Sequence, residues 1–225
     1  MSSLFIYEIH TMKHHLLAIL LLAYTATATA QDIFKGYINI KEADSTIAVD
    51  LMYAKADNFV GEKMYNFTEA YLHPHAAEAL KRASRLLRTT HPHLRLIIYD
   101  AARPMHVQQK MWNKVKGTPQ QNYVSNPANG GGLHNYGLAV DISIIDSNGD
   151  TLPMGTTVDA LTPLSHTDKE QELVRKGKIS SEAARNRALL RTIMKKAGFR
   201  PLRSEWWHFN YTTRANARAN YKAIP

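Results

Sequence analysis

The sequence predicts an α+β fold in which helices pack around a mainly antiparallel sheet. Two observations support this prediction. Apolar residues recur at helical spacing in three segments, and they form short continuous or alternating runs in several others. The sequence shows no internal repeat, no low-complexity linker and no sign of a second domain. Residues 31–225 are therefore expected to form a single domain with a sizeable core.

Three helices are expected from apolar spacing and from residues that favour helix ends. The first covers residues 75–89, where one face carries Ala76, Leu80, Ala83 and Leu87. The second should start at Pro104, because proline is favoured at the first helical position. The third should run from Ser180 or Ser181 as N-cap to Gly198 as C-terminal cap.

The predicted strands are short apolar runs, at residues 38–40, 46–51, 94–99 and 138–144, with a last strand between 199 and 209. In the run that starts at Leu138, apolar residues alternate with Ala139, Asp141 and Ser143. Because side chains alternate between the faces of a strand, Asp141 should point away from the apolar face and toward a polar site. Asn148 and Gly149 then predict a hairpin turn.

The first 30 residues are typical of a signal peptide. Basic residues at 13–15 precede an apolar run at 16–23 and the small residues Ala28-Thr29-Ala30. The apolar run is shorter than the roughly 20 residues that span a bilayer. We expect cleavage after Ala30, no stable membrane span in the mature chain, and a periplasmic or secreted protein. An uncleaved anchor is the alternative, and either Met1 or Met12 could start translation.

Composition limits the possible chemistry. The chain has no cysteine, which rules out disulfides and thiolate metal sites, and its formal net charge is +9. Many basic residues lie at helical spacing, as expected of solvated helix faces, and no nucleic-acid-binding module accompanies them. A nucleic-acid partner is therefore not expected.

Two short clusters hold side chains that could bind one metal ion. A catalytic zinc site uses three nitrogen or oxygen ligands from the protein and leaves a position for water. His134, Asp141 and His208 supply such a set, and Glu205 is the natural candidate for activating the water. Taken singly, each has a more ordinary interpretation: a lone histidine is more often a surface or core residue, and Glu205-Trp206-Trp207-His208 could be an aromatic strand.

Together these motifs resemble those of the D-alanyl-D-alanine dipeptidases of the zinc D,D-peptidase group. The pattern of that family is Ser-x-His, then x-x-Gly-x-Ala-x-Asp, then Glu-x-x-His. In this chain the matching segments are Gly132-Leu133-His134, Gly137-Leu138-Ala139-Val140-Asp141 and Glu205-Trp206-Trp207-His208. Further likeness at residues 50–54, 58–61, 99–104, 153–159, 165–166 and 185–199 extends the resemblance over about residues 45–210.

The resemblance implies a zinc D,D-peptidase-like fold and one Zn²⁺ per chain, with Glu205 as general base. Glu205 could instead only orient a ligand histidine. Arg103 is expected to stabilise the developing oxyanion, with a structural ion pair to Asp100 as the alternative. Tyr53 and Asp159 match positions that contact the dipeptide. Asp159 would pair with the substrate's ammonium group, or else cap its own loop.

The function implied is zinc-dependent hydrolysis of the small D,D-dipeptide D-alanyl-D-alanine to free D-alanine, in cell-wall peptide turnover. Two alternatives remain open: a D,D-carboxypeptidase or endopeptidase acting on peptidoglycan stems, and an inactive zinc-containing wall-binding module. Gly132 stands where the family has serine, so substrate contact there should come from the backbone. Ala101-Ala102 replaces the more usual Gly-Tyr and leaves the strictness of dipeptide preference open.

Overall fold

The computed structural model describes residues 30–225 of the chain. Apart from Ala30, the predicted signal peptide lies outside the described residues. Residues 33–225 form one compact unit. Within the described part of the chain, no helix combines the length and the apolar character needed to cross a membrane.

The described chain contains seven α-helices and seven strands, with short 3₁₀ turns in some of the connections. The α-helices are α1 (Ala30–Ile33), α2 (Ile40–Ala43), α3 (Pro74–Thr90), α4 (Met105–Val115), α5 (Glu170–Arg175), α6 (Ser181–Lys196) and α7 (Arg214–Asn220). The strands are β1 (Ile38–Asn39), β2 (Ala48–Val49), β3 (Tyr71–Leu72), β4 (Arg95–Asp100), β5 (Ala139–Ile145), β6 (Arg200–Pro201) and β7 (His208–Asn210).

The strands form a two-stranded sheet, β1-β3, and a five-stranded sheet with the order β2-β4-β5-β7-β6. In the larger sheet β2 runs parallel to β4, whereas the other neighbours are antiparallel. The α+β class agrees with the prediction, but the larger sheet is mixed, so "mainly antiparallel" was inexact. The chain between β2 and β4 includes β3 and α3 and returns across the sheet, which is the type of connection that parallel neighbours require.

Strand β5 lies at the centre of the larger sheet and is buried along its whole length. Its residue Asp141 pairs in register with Asp100 of β4 on one side and with His208 of β7 on the other. A β-bulge between Ile98 and Asp100 shifts the register at this end of β4. Three polar side chains from adjacent strands therefore meet at one end of the sheet.

The long helices begin and end close to the residues that the sequence indicated. The face of α3 predicted from apolar spacing is buried, and its N-cap is His73, whose Nδ1 accepts a hydrogen bond from the His75 amide at 3.3 Å. The hydroxyl of Ser180 accepts from the amide of Ala183 at 3.0 Å and caps α6. Gly198 follows that helix with a φ of 102°, a left-handed conformation that glycine adopts without strain.

Backbone hydrogen bonds join the segment around His134 to the segment around Arg103. The amide of Arg103 donates to the carbonyl of His134 at 3.0 Å, and the Asn135 side-chain amide donates to the carbonyl of Arg103 at 2.9 Å. Ile224, near the C-terminus, is 1% exposed; its amide donates to Asn135 at 2.8 Å and its carbonyl accepts from Met105 at 2.9 Å. The C-terminal segment thus spans both segments that lead into the site.

Candidate active site

Two histidines and an aspartate converge at the end of β5 and β7. Ligand atoms of His134, Asp141 and His208 all lie within 4.8 Å of one another, and the three residues are largely buried. Oδ1 of Asp141 is 2.9 Å from Nδ1 of His208 and 3.4 Å from Nε2 of His134. His134 comes from a 3₁₀ turn, residues Leu133–Tyr136, that leads into β5, and Gly137 ends this turn with a φ of 63°.

The remaining nitrogen of each imidazole faces an oxygen acceptor. Nδ1 of His134 is 2.7 Å from the carbonyl oxygen of Ala101, and Nε2 of His208 is 2.9 Å from Oδ1 of Asn210. Each ring can donate its N–H to that acceptor and direct its other nitrogen, as a lone pair, toward Asp141. Metal-binding histidines are commonly oriented in this way, so the donor set fits a metal ion held by two neutral imidazoles and a carboxylate.

The charges of the three groups favour a bound cation. Burial alone would raise the pKa of Asp141, but the neighbouring His134 and His208 hold that pKa well below its usual range. Burial disfavours protonated His208, yet its hydrogen bond to Asp141 raises the pKa of the ring to about 9. A proton on His208 thus balances the buried aspartate in the metal-free protein, and a metal ion could replace it.

Glu205 lies in the turn between β6 and β7 and lines the same cavity as the three possible ligands. Its side chain is 8% exposed, and burial raises the pKa of its carboxyl group to about 7. The amide of His208 approaches the carbonyl of Glu205 at 3.4 Å, which closes the tight turn between them. A carboxyl with this pKa can take up and release a proton near neutral pH.

Arg103 follows β4 and is fixed by neighbours on several sides. Its guanidinium forms an ion pair with Asp100, donates through Nη1 to Gln108 at 2.9 Å, and stacks over the Tyr53 ring at 5.1 Å from the centroid. Asp100 in turn accepts a hydrogen bond from the hydroxyl of Tyr65 at 2.6 Å. The ion pair with Asp100 is therefore present. Arg103 also lines the cavity, so this ion pair does not exclude a role in stabilising an oxyanion.

Tyr53 and Asp159 meet at another part of the cavity wall. The Tyr53 hydroxyl donates to Oδ1 of Asp159 at 3.0 Å, and the Phe59 amide approaches Oδ2 at 3.5 Å. Neither partner belongs to the loop that contains Asp159. Asp159 has a φ of 65°, which is unusual for a residue other than glycine. Burial, followed by the charge of Asp141, raises the pKa of Asp159 to about 8.

A family model described as D-ala-D-ala dipeptidase, of the peptidase M15 family, matches residues 35–223. The chain belongs to the peptidase M15 family. A D-alanyl-D-alanine dipeptidase of Escherichia coli is 34% identical over 163 residues, which cover 72% of this chain and 78% of the relative. A protein of the same name from Enterococcus faecium is 25% identical over 195 residues, covering 77% of this chain and 90% of the relative.

Other side chains of this M15 peptidase line the cavity, which encloses about 290 Å³. Sequence reasoning did not single out these lining residues, which include Gln108, Tyr123, Ser125, Arg200 and Arg214. They come from α4, from the long loop before His134, from β6 and from α7. The length of the loop before His134 is the one sequence signal that could have pointed to them, since long loops in compact domains are often functional.

Two positions at which this M15 peptidase departs from the family pattern lie beside the site. A Cβ built on Gly132 would lie 3.0 Å from the Ser125 hydroxyl, so the space beside Gly132 is occupied by a hydroxyl from another part of the chain. A polar side chain is thus available there in addition to the backbone. Ala101 and Ala102 are buried; Ala101 supplies the carbonyl that orients His134.

Among the described residues, no histidine outside the motifs belongs to a group of three or more potential metal ligands. His73 is the N-cap and His91 the C-cap of α3. His166, to which the sequence assigned no role, has its Nε2 3.2 Å from the hydroxyl of Tyr123. Tyr123 lines the cavity, so His166 contacts the site through that residue.

Proposed function

We propose that the chain is a zinc-dependent dipeptidase that hydrolyses D-alanyl-D-alanine to two molecules of D-alanine. The observation that supports this proposal best is the convergence of His134, Asp141, His208 and the buried Glu205 on one cavity, in a chain of the M15 family. Zinc suits the donor set because catalytic zinc sites use three ligands of these types.

His134, Asp141 and His208 would hold one Zn²⁺ per chain. A zinc ion bound there would act as a Lewis acid that polarises the scissile carbonyl and makes water more acidic. Ala101 and Asn210 keep the two imidazoles in the tautomers that leave a nitrogen lone pair facing inward.

Glu205 would act as general base and then as general acid. Its carboxylate takes a proton from the attacking water as the new bond forms between the water oxygen and the peptide carbon. The protonated carboxyl then gives that proton to the leaving nitrogen as the C–N bond breaks. The cavity wall around Glu205 is largely buried, so competing water has limited access to the carboxyl group.

Arg103 would stabilise the negative charge that develops on the carbonyl oxygen. Its contacts with Asp100, Gln108 and the Tyr53 ring hold the guanidinium in place before substrate binds. A donor arranged in advance costs no reorganisation during the reaction, and one such donor is typically worth about 3–4 kcal/mol.

The acidic end of the cavity favours a dipeptide over a longer chain. Asp159, beside Tyr53 and Phe59, would pair with the free ammonium of the substrate, whose positive charge would favour the ionised form of the carboxyl group. An internal amide carries no positive charge to pair with this buried carboxyl group. This feature argues against the D,D-carboxypeptidase or endopeptidase alternative. Glu205 and Arg103 argue against an inactive wall-binding module, because a binding protein needs neither.

We further propose that the protein is exported, to the periplasm or beyond, and acts on dipeptide released during cell-wall turnover. The support is the basic, apolar and small-residue pattern of residues 13–30. The positive net charge could favour association with anionic wall fragments.

A substrate comparison tests the proposed activity. Zinc-loaded protein should release D-alanine rapidly from D-alanyl-D-alanine, and much more slowly from L-alanyl-L-alanine and from a wall pentapeptide. The measurement is kcat/KM for each. Equal rates on the free dipeptide and the pentapeptide would reject the dipeptidase proposal in favour of the carboxypeptidase.

A further inference from the structure

A continuous series of contacts runs along the cavity wall from an acidic group to a basic one. Asp159 accepts a hydrogen bond from Tyr53, and the ring of Tyr53 lies under the guanidinium of Arg103. Arg103 donates to Oε1 of Gln108 at 2.9 Å. The series therefore begins at the carboxyl group proposed to bind the ammonium of the substrate and passes through the proposed oxyanion donor.

Beyond Arg103 the same series continues to a second arginine. The side-chain amide of Gln108 donates to the carbonyl of Ser125 at 2.8 Å, and Nη2 of Arg214 donates to the Ser125 hydroxyl at 3.1 Å. All of these residues line the cavity. Asp159 and Arg214 thus stand at the two ends of one connected array, with Arg103 between them.

Gly132 leaves room for the Ser125 hydroxyl in its present position. Any side chain at position 132 would place its Cβ 3.0 Å from that hydroxyl, closer than ordinary van der Waals contact. The glycine therefore leaves room for Ser125 beside the segment that leads to His134, and Ser125 in turn fixes Arg214. Arg200 of β6 lines the cavity as well and adds positive charge.

We propose that Arg214 binds the C-terminal carboxylate of the substrate. This inference rests on the proposed dipeptidase function. A free dipeptide carries an ammonium at one end and a carboxylate at the other, with the scissile bond between them. An array with a carboxyl group at one end, a guanidinium at the other and the oxyanion donor between them matches that order of charges. Arginine also suits the task, because its planar donors fit a carboxylate.

The test compares D-alanyl-D-alanine with its C-terminal amide, which lacks the negative charge. The wild-type protein should prefer the free acid. Arg214→Gln should raise KM for the acid about 10-fold with little change in kcat, and should leave the amide nearly unaffected, because the lost interaction is a charge-assisted hydrogen bond. Arg214→Lys should recover part of the preference by restoring the charge.

Arg203→Gln is the matched control, because Arg203 is 81% exposed, pairs with Asp168 and lies outside the cavity lining. It should behave as wild type with both substrates. A binding measurement on Glu205→Gln protein, whose turnover should be strongly slowed, gives an independent comparison. Titration calorimetry should show the same preference for the acid, and adding Arg214→Gln should remove it.

The outcomes separate this inference from the proposed function. Equal loss of acid and amide hydrolysis in Arg214→Gln would give Arg214 only a structural role and overturn the inference, as would no change in either. Wild-type hydrolysis of D-alanyl-D-alanine without any preference over the amide would also overturn it and leave the dipeptidase proposal intact. Wild-type protein that hydrolyses neither substrate would overturn both.

Discussion

The possible metal ligands differ in construction from the basic rim of the cavity, which is formed by Ser125 and Arg214. Asp141 and His208 lie in register on adjacent central strands, so the backbone hydrogen bonds of the sheet fix their separation. Arg214 and Ser125 lie outside the strands and meet through one side-chain hydrogen bond. The sheet therefore supplies a rigid centre for chemistry, whereas the rim can change without disturbing that centre. Substitutions in the first region should abolish activity, and those in the second should alter substrate preference.

Replacing a ligand should have the largest effect. His208→Ala removes one of three donors and should lose both bound zinc and activity, by about 1,000-fold or more in kcat/KM. Metal analysis of purified protein checks the first result and dipeptide hydrolysis the second. His93→Ala, at an exposed position, is the control and should retain both. Full zinc occupancy in His208→Ala would remove this residue from the ligand set.

Glu205→Gln separates metal binding from proton transfer within the rigid centre. The variant should keep zinc but lose about 100- to 10,000-fold in kcat, because it can no longer accept the proton of water. Zinc content and steady-state kinetics are measured on the same sample, with the exposed Glu182→Gln as control. Near wild-type turnover would assign the base to another residue.

Asp159→Asn tests whether the acidic end of the cavity determines substrate selectivity without affecting the metal site. The wild-type protein should cleave N-acetyl-D-alanyl-D-alanine about 30- to 150-fold less well than the free dipeptide, because one charge-assisted contact is lost. Asp159→Asn should narrow this gap, mainly by slowing hydrolysis of the free dipeptide. An unchanged gap in the variant would argue against pairing between Asp159 and the ammonium.

Removal of the metal should show how the buried titratable groups of the site affect stability. This effect should be smaller than the effects on activity. Burial raises the pKa of Glu205 to about 7 and that of Asp159 to about 8, so both hold protons that the unfolded chain has released at lower pH. Although burial opposes its charge, the contact with Asp141 raises the pKa of His208 to about 9, so its stabilising charge is lost as pH rises through that value. All three contributions decrease with rising pH.

Chelator-treated protein should therefore melt at least about 5 °C lower at pH 9 than at pH 5, and added zinc should raise Tm more at the higher pH. Differential scanning calorimetry with and without chelator measures both effects. The double variant Glu205→Gln, Asp159→Asn should show a flatter dependence of Tm on pH. A metal-free protein that becomes more stable over this range would contradict the prediction.

The residues of the centre could be selected from the sequence, whereas those of the rim could not, for a physical reason. His134, Asp141, Glu205 and His208 lie in short motifs, and the alternation of side chains along β5 is enough to predict that Asp141 lies on a polar face. The helix ends followed from caps such as Ser180. The direction of β2 could not be deduced, because it depends on the route that the chain takes around α3.

Ser125 and Arg214 illustrate what local patterns cannot reveal. They are 89 residues apart in the chain and belong to no motif. Their contact arises only because the fold brings the loop before His134 next to the start of α7. The glycine at position 132 was visible in the sequence, but it was interpreted as a missing hydroxyl; the structure shows that another residue fills the space.

The backbone hydrogen bonds of Ile224 limit the order in which the fold can be completed. Ile224 bridges Asn135 and Met105, and so joins the two segments that present His134 and Arg103. These bonds can form only after Ile224 has been synthesised, so the growing polypeptide already contains every proposed catalytic residue before the bridge between those segments can form.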